Sequence, residues 1–87
     1  MRITQTKQFK KDFKRQIKRG KKTQKLFDFL EVLIEGQKIP ESYKDHALSG
    51  NWTGRRDCHL EPDWLLIYQK AESEIVLERT GTHSDLF

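Results

Sequence analysis

The chain has 87 residues, of which 34% are apolar and 34% are charged, and this length accommodates one domain with a small core. Its apolar residues gather into discrete segments, which argues against wholesale disorder; none is long enough to span a membrane, and Met1 to Lys11 holds no apolar signal region, so a soluble cytoplasmic domain spanning 1–87 is expected. The net charge of +4 hides an asymmetry: residues 1–25 carry 11 Lys/Arg and one acid, Asp12, for a net +10, whereas residues 26–87 carry 6 Lys/Arg and 12 acids, for a net −6.

In chain order, Arg2 to Gln5 reads as a short edge strand. Phe9, Phe13 and Ile17 then recur every four residues among Lys10, Lys11, Lys14, Arg15, Lys18 and Arg19, the pattern of an amphipathic helix with a narrow apolar stripe. Gly20 is placed to end it. Thr23 can cap a second helix, in which Leu26, Phe29, Leu30 and Leu33 follow the i, i+3, i+4, i+7 pattern, Phe27 and Ile34 widen the apolar face, and Gly36 marks the end. Ile39 to Gly50 reads as a loop.

Beyond it the period changes to two. Asn51 to Leu60 predicts one strand, Trp64 to Lys70 a second and Glu74 to Thr80 a third, with Glu61-Pro62-Asp63 and Ala71 to Ser73 as turns. Trp64-Leu65-Leu66-Ile67-Tyr68 is apolar on both faces and should be the central strand. Gly81 to Phe87 reads as a tail. The expected architecture is α+β: an antiparallel meander with an N-terminal helical hairpin packed on one face, Arg2–Gln5 on an edge, and the other sheet face free as a concave surface. Cys58 is the only cysteine; it excludes an internal disulfide or a cysteine metal site and reads as a small inward-facing strand residue.

Chemistry is confined to few residues. The three histidines, His46, His59 and His83, all lie in the second half. No pair has a helical metal spacing, so neither metal nor cofactor is expected. Imidazole titrates near neutrality, at ~6.5 when unperturbed, and so suits proton transfer. Metal-free RNA cleavage requires a base for the 2′-OH, an acid for the departing 5′-oxygen, and cations for the phosphorane. Ordinary surface or capping histidines are the plain alternative. Strand alternation puts Arg55, Asp57 and His59 on one face, opposite Arg56, Cys58 and Leu60, provided no bulge intervenes; on the third strand Ile75, Leu77 and Arg79 oppose Val76, Glu78 and Thr80. Trp64 and Phe87 can each stack on a base or simply pack, and Trp52 reads as structural. The basic block suits nucleic acid, a solvated helix face or an acidic protein partner.

Taken together, Tyr43-Lys44-Asp45-His46, Leu48, Gly50, Trp52, Gly54, Arg56-Asp57, His59, Glu61-Pro62-Asp63-Trp64, Leu66-Ile67-Tyr68, Glu78-Arg79-Thr80-Gly81-Thr82-His83 and Leu86-Phe87 closely resemble the YafQ branch of the RelE/ParE toxin superfamily. The strong match covers Tyr43 to Phe87, and the helical hairpin matches in pattern and length. The resemblance implies a microbial-ribonuclease-like fold and a type II toxin that cuts messenger RNA in the ribosomal A site. It implies a cognate antitoxin, through which alone operator DNA would be bound, and no membrane. It places functional residues at His46, His59, Asp63 and His83, with Trp64 and Phe87 nearby. Arg56 and Arg79 match residues on the scissile phosphate, and Lys44 lies in the matching run. On this reading His83 is the general acid, His46 or His59 the base, and Lys7 to Lys22 grips ribosomal RNA. Two rivals are a gyrase-inhibiting ParE-like toxin, which has no need of three matched histidines, and a non-catalytic RNA-binding module.

Overall fold

A computed structural model describes residues 1–87. Strand β1 (Arg2–Gln5) leads into helices α1 (Lys7–Lys18) and α2 (Thr23–Ile34), then β2 (His46–Ala47), β3 (Arg56–Glu61), β4 (Trp64–Lys70), β5 (Glu74–Gly81) and a single-turn α3 (His83–Leu86). The sheet has five strands in the order β1-β5-β4-β3-β2, with β1 parallel to β5 and the other pairs antiparallel. The α+β class and the edge position of β1 follow the sequence reading.

Gly20 and Gly36 close the helices at φ +91° and +67°, left-handed positions where a side chain would be strained. Thr6 caps α1 by accepting the Phe9 amide at 2.9 Å. Thr23 does not cap α2; it is the first helical residue, and Lys22 precedes it without a side-chain cap.

One face of the sheet carries the core. Phe9 of α1 and Leu26, Phe29, Leu30 and Leu33 of α2 pack with Cys58 and Leu60 of β3, Trp64, Leu66 and Tyr68 of β4, and Ile75 and Leu77 of β5. All five residues Trp64 to Tyr68 are buried, as expected of a doubly covered strand. Leu65 and Ile67 are therefore sealed on the opposite face too, and that face is not free across its centre.

Four features depart from the sequence reading. The first is the loop Ile39–Gly50, which contains β2, so His46 pairs with Asp57 and Ala47 with Arg56. The second is β3, which starts at Arg56 rather than Asn51, because Gly50–Trp52 forms a 3-10 turn. The third is the tail, which folds into α3. The fourth is a bulge that reverses the alternation of β5: Tyr68 pairs with Leu77 but Ile67 with Arg79, leaving Glu78 as the extra residue. Thr80 thus joins the core face of Ile75 and Leu77, and Arg79 takes the face of Asp57 and His59.

The stripe on α1 is also rotated from expectation. Ile17 is exposed, while Asp12 and Gln16 are buried. β1 ends at Gln5 but β5 runs on to Gly81, which leaves the last part of that edge unpaired. Asp12 fills it, accepting the Thr80 amide at 3.2 Å and Arg79 Nε at 2.7 Å. Burial opposes the Asp12 charge, but hydrogen bonds from Arg79, Gln8 and Thr80 outweigh it and hold the carboxyl below its ordinary range. The stability this supplies is complete above the unfolded-state pKa and is lost as pH falls through the lower folded value. Asp12→Ala should therefore cost about 3 kcal/mol in urea unfolding at neutral pH. The deficit should narrow below about pH 4; a deficit independent of pH would count against this role.

Candidate active site

Three turns of chain bring the histidines together. β3 carries His59 on the face opposite the core, since its pair Leu65 and the neighbouring pair Asp57 and Ile67 share that face. β2 pairing sets His46 beside Asp57, with His46 Nε2 3.7 Å from Asp57 Oδ2. The β3–β4 turn presents Asp63, which fixes His83 at the start of α3. Asp63 Oδ1 accepts the His83 amide at 2.9 Å and lies 2.6 Å from His83 Nδ1. The His59 and His83 rings stand edge to face with centroids 5.5 Å apart.

The anchoring contacts share one logic. Nδ1 of His46 lies 2.8 Å from the Lys44 carbonyl, Nδ1 of His59 3.3 Å from the Pro62 carbonyl, and Nδ1 of His83 against the Asp63 carboxylate. Carbonyl and carboxylate oxygens only accept, so each Nδ1 must carry the proton and each Nε2 is left for chemistry. Lys44 serves this arrangement through its backbone, at φ 49°, a left-handed conformation that turns its carbonyl toward His46.

Asp57, across the β2–β3 pair from His46, is a further residue of the site. It is 4% exposed, and its Oδ1 has no hydrogen-bond partner. Burial raises its pKa above the ordinary carboxylate range, and the charges of His46, His59 and His83 act against that rise. In the sequence Asp57 shares the face of His59 and belongs to the Arg56-Asp57 run of the family resemblance, but its burial leaves no trace there. Asp63 differs: its side chain is 63% exposed, and hydrogen bonds from the His83 amide and ring hold it below the ordinary carboxylate range.

His59 and His83 line a cleft of about 650 Å³ with Tyr43, Lys44, Lys25 and Pro62. Lys44 makes no ion pair there, whereas Lys21 and Lys25 both reach Glu61, at 2.6 and 3.1 Å. Phe87 stays exposed one turn beyond His83, whose carbonyl accepts its amide at 2.8 Å.

Three expected RNA contacts are placed elsewhere or held. Trp64 is fully buried, and its Nε1 donates to Thr80 Oγ1 at 2.8 Å, so it belongs to the core and offers no ring for stacking. Arg56 lies on the core face of β3, opposite His59, where Asp45 binds its guanidinium and also accepts the Tyr68 hydroxyl. Arg79 shares the histidine face by register, but its guanidinium is drawn to Asp12 at the sheet edge. No three His, Cys, Asp or Glu side chains converge closely enough to hold a metal ion. Cys58 is buried, and burial pushes its thiol pKa far up, which leaves it inert.

The family model described as "Bacterial toxin of type II toxin-antitoxin system, YafQ" matches residues 1–87. The chain is 47% identical over 81 residues to the mRNA interferase toxin YafQ of Escherichia coli K12, covering 92% of this chain and 88% of that one. The E. coli DinJ–YafQ complex contains a chain of TM-score 0.90 and 45% identity, covering 100% of this chain and 99% of that one. A metal-bound toxin from Helicobacter pylori superposes with TM-score 0.91 at 39% identity, over 100% and 99% of the two chains.

The raised pKa of Asp57 has a thermodynamic sign. Between the ordinary carboxylate pKa and its higher folded value the folded chain binds more protons than the unfolded one, so Asp57 costs stability as pH rises through that window. Asp57→Asn should accordingly raise stability by about 1 kcal/mol at pH 8. The advantage should shrink as pH is lowered and the wild-type carboxyl protonates; calorimetry showing a less stable Asn variant at pH 8 would contradict this.

Proposed function

Because this chain belongs to the YafQ family of bacterial toxins from type II toxin–antitoxin systems, we propose that it is an mRNA interferase: an endoribonuclease that cuts messenger RNA in the ribosomal A site and thereby stops translation. The observation that carries this reading is the edge-to-face pair of His59 and His83 in one cleft, with His46 set beside Asp57 and each of the three imidazoles held through Nδ1. A surface that only binds, whether gyrase or RNA, has no use for paired imidazoles each anchored through Nδ1.

In the proposed reaction, Nε2 of a neutral histidine takes the proton of the 2′-OH and the freed oxygen attacks the adjacent phosphorus. The P–O5′ bond breaks, and Nε2–H of a protonated histidine delivers its proton to O5′. The products are a 2′,3′-cyclic phosphate and a 5′-hydroxyl. Neither water, electrons nor a metal enters the balance.

His83 suits the acid role, because Asp63 fixes its ring through Nδ1 and leaves Nε2 to carry the transferred proton. His59 suits the base role better than His46: it lines the same cleft as His83, and its Nδ1 meets only a neutral carbonyl. His46 and Asp57 then orient and polarise the pair. Lys44, which lines the cleft and makes no ion pair, is assigned to the phosphorane charge. Phe87 is the exposed ring available for stacking on a base.

The basic residues of α1 are assigned to ribosomal RNA, since Lys7, Lys10, Lys11, Lys14, Arg15 and Lys18 form no ion pair within the chain. Neutralisation is assigned to a cognate antitoxin, as the E. coli relative is known in complex with DinJ. Operator DNA would be reached only through that complex.

The decisive variant is His83→Gln, whose amide can still donate to Asp63 but has no proton to transfer. On ribosomes carrying a defined message, its single-turnover cleavage should fall by roughly 10²–10⁴-fold. Its ribosome affinity should stay at the wild-type value. Full cleavage by this variant would remove His83 from the mechanism.

A further inference from the structure

Helix α3 is one turn long, too short to hold its place through its own backbone bonds. Yet it carries His83 as its first residue. Asp63 secures the His83 end, and what secures the other side is Asp85. Its Oδ2 accepts the Thr82 amide at 2.9 Å and Thr82 Oγ1 accepts the Asp85 amide at 3.1 Å, a reciprocal capping box. The same carboxylate takes Arg19 through both guanidinium nitrogens, Nη1 at 2.6 Å and Nη2 at 3.3 Å, and Gln16 Nε2 approaches at 3.5 Å. Arg19 is the residue that closes α1, so the helix bearing His83 is fastened to the end of the basic helix.

A second, independent feature marks the same spot. A Cβ at Gly81 would stand 2.8 Å from both Asp85 Cβ and Asp85 Oδ2, and only hydrogen fits. Gly81 is not in a left-handed conformation, so its glycine is explained by the close approach of Asp85 alone.

We propose that Asp85, clamped by Arg19 and seated on Gly81, is a positioning residue that sets the His83 imidazole against Asp63 and into the cleft. This rests on the reading of His83 as a catalytic acid. It also means that Arg19 is withdrawn from the nucleic-acid-binding face: its charge couples the seating of the basic helix to the placement of the acid.

The test uses three variants of the full chain. Asp85→Ala removes cap and clamp together. Asp85→Asn keeps an oxygen for the Thr82 amide but loses the charge. Gly81→Ala keeps every charge and crowds the seat. Asp85→Ala and Gly81→Ala should each slow single-turnover cleavage on ribosomes at saturation by about 10- to 100-fold. The half-saturating concentration should stay unchanged in Gly81→Ala, which leaves the Arg19 clamp charged, and Asp85→Asn should lose less rate. A purely structural lesion would lower the unfolding midpoint without this split.

The independent readout is the ¹³C titration of the Asp63 carboxyl in the free protein. In Asp85→Ala it should move up toward the ordinary carboxylate range as His83 leaves Asp63. If Asp85→Ala does not fold, the other two variants carry both readouts. Wild-type cleavage rates with an unmoved Asp63 titration would overturn the proposal, as would a loss confined to ribosome binding. Should the wild type cut no RNA, the nuclease reading falls and the Asp63 titration still decides the clamp.

Discussion

Asp63 holds His83 twice, by its backbone amide and by its ring, through a single carboxylate oxygen. This one grip joins the β3–β4 turn to the far end of β5, segments 20 residues apart in sequence. It fixes which nitrogen of His83 carries the proton and brings the ring within 5.5 Å of His59. Both partners remain largely exposed, so the contact is open to solvent and dependent on the backbone that presents it. The short tight turn at Pro62-Asp63 and the capped turn of α3 are therefore the structural conditions of the site.

Polar burial is distributed around that contact with two opposite signs. Asp12, Asp57 and Thr80 are buried in a chain with a small core, which is costly unless each is satisfied. Asp12 is satisfied and closes the open edge of β5. Asp57 is left with an unpaired oxygen beside His46. The first arrangement supports the fold; the second is the kind of unmet demand that a fold retains where chemistry occurs. The bulge at Glu78 links them. By reversing the alternation it puts Thr80 over the core, where it bonds Trp64, and turns Arg79 to the histidine face.

Much of the fold was legible because period and punctuation agree. Gly20 and Gly36 end both helices, the doubly apolar Trp64–Tyr68 run is the buried strand, and Arg2–Gln5 lies on an edge. The rest depended on tertiary partners that leave no periodic trace. β2 is two residues long and exists through pairing with β3. α3 is one turn and exists through Asp85. The phase of β5 turns on one bulge. In the site, His59 and His83 were legible in the sequence and line one cleft, with Asp63 gripping His83 and His46 set beside Asp57 on the neighbouring strand. Trp64 and Arg56 were named with them and are placed otherwise, because base-stacking rings and core rings share the same composition, and a carboxylate such as Asp45 claims an arginine without announcing it. Asp57 and Asp85 went unread for the same reason: their roles come from what surrounds them.

In the proposed reaction these imidazoles transfer the protons of an intramolecular phosphoryl transfer. The most direct test is the chemistry of the cut ends. Fragments from ribosome-bound message treated with the wild-type protein should end in a 2′,3′-cyclic phosphate, opening to a 3′-phosphate, and begin with a 5′-hydroxyl that polynucleotide kinase labels without prior dephosphorylation. Ends consisting of a 3′-hydroxyl and a 5′-phosphate would mean that water, not the 2′-OH, attacked, and would contradict the assignment of the three histidines.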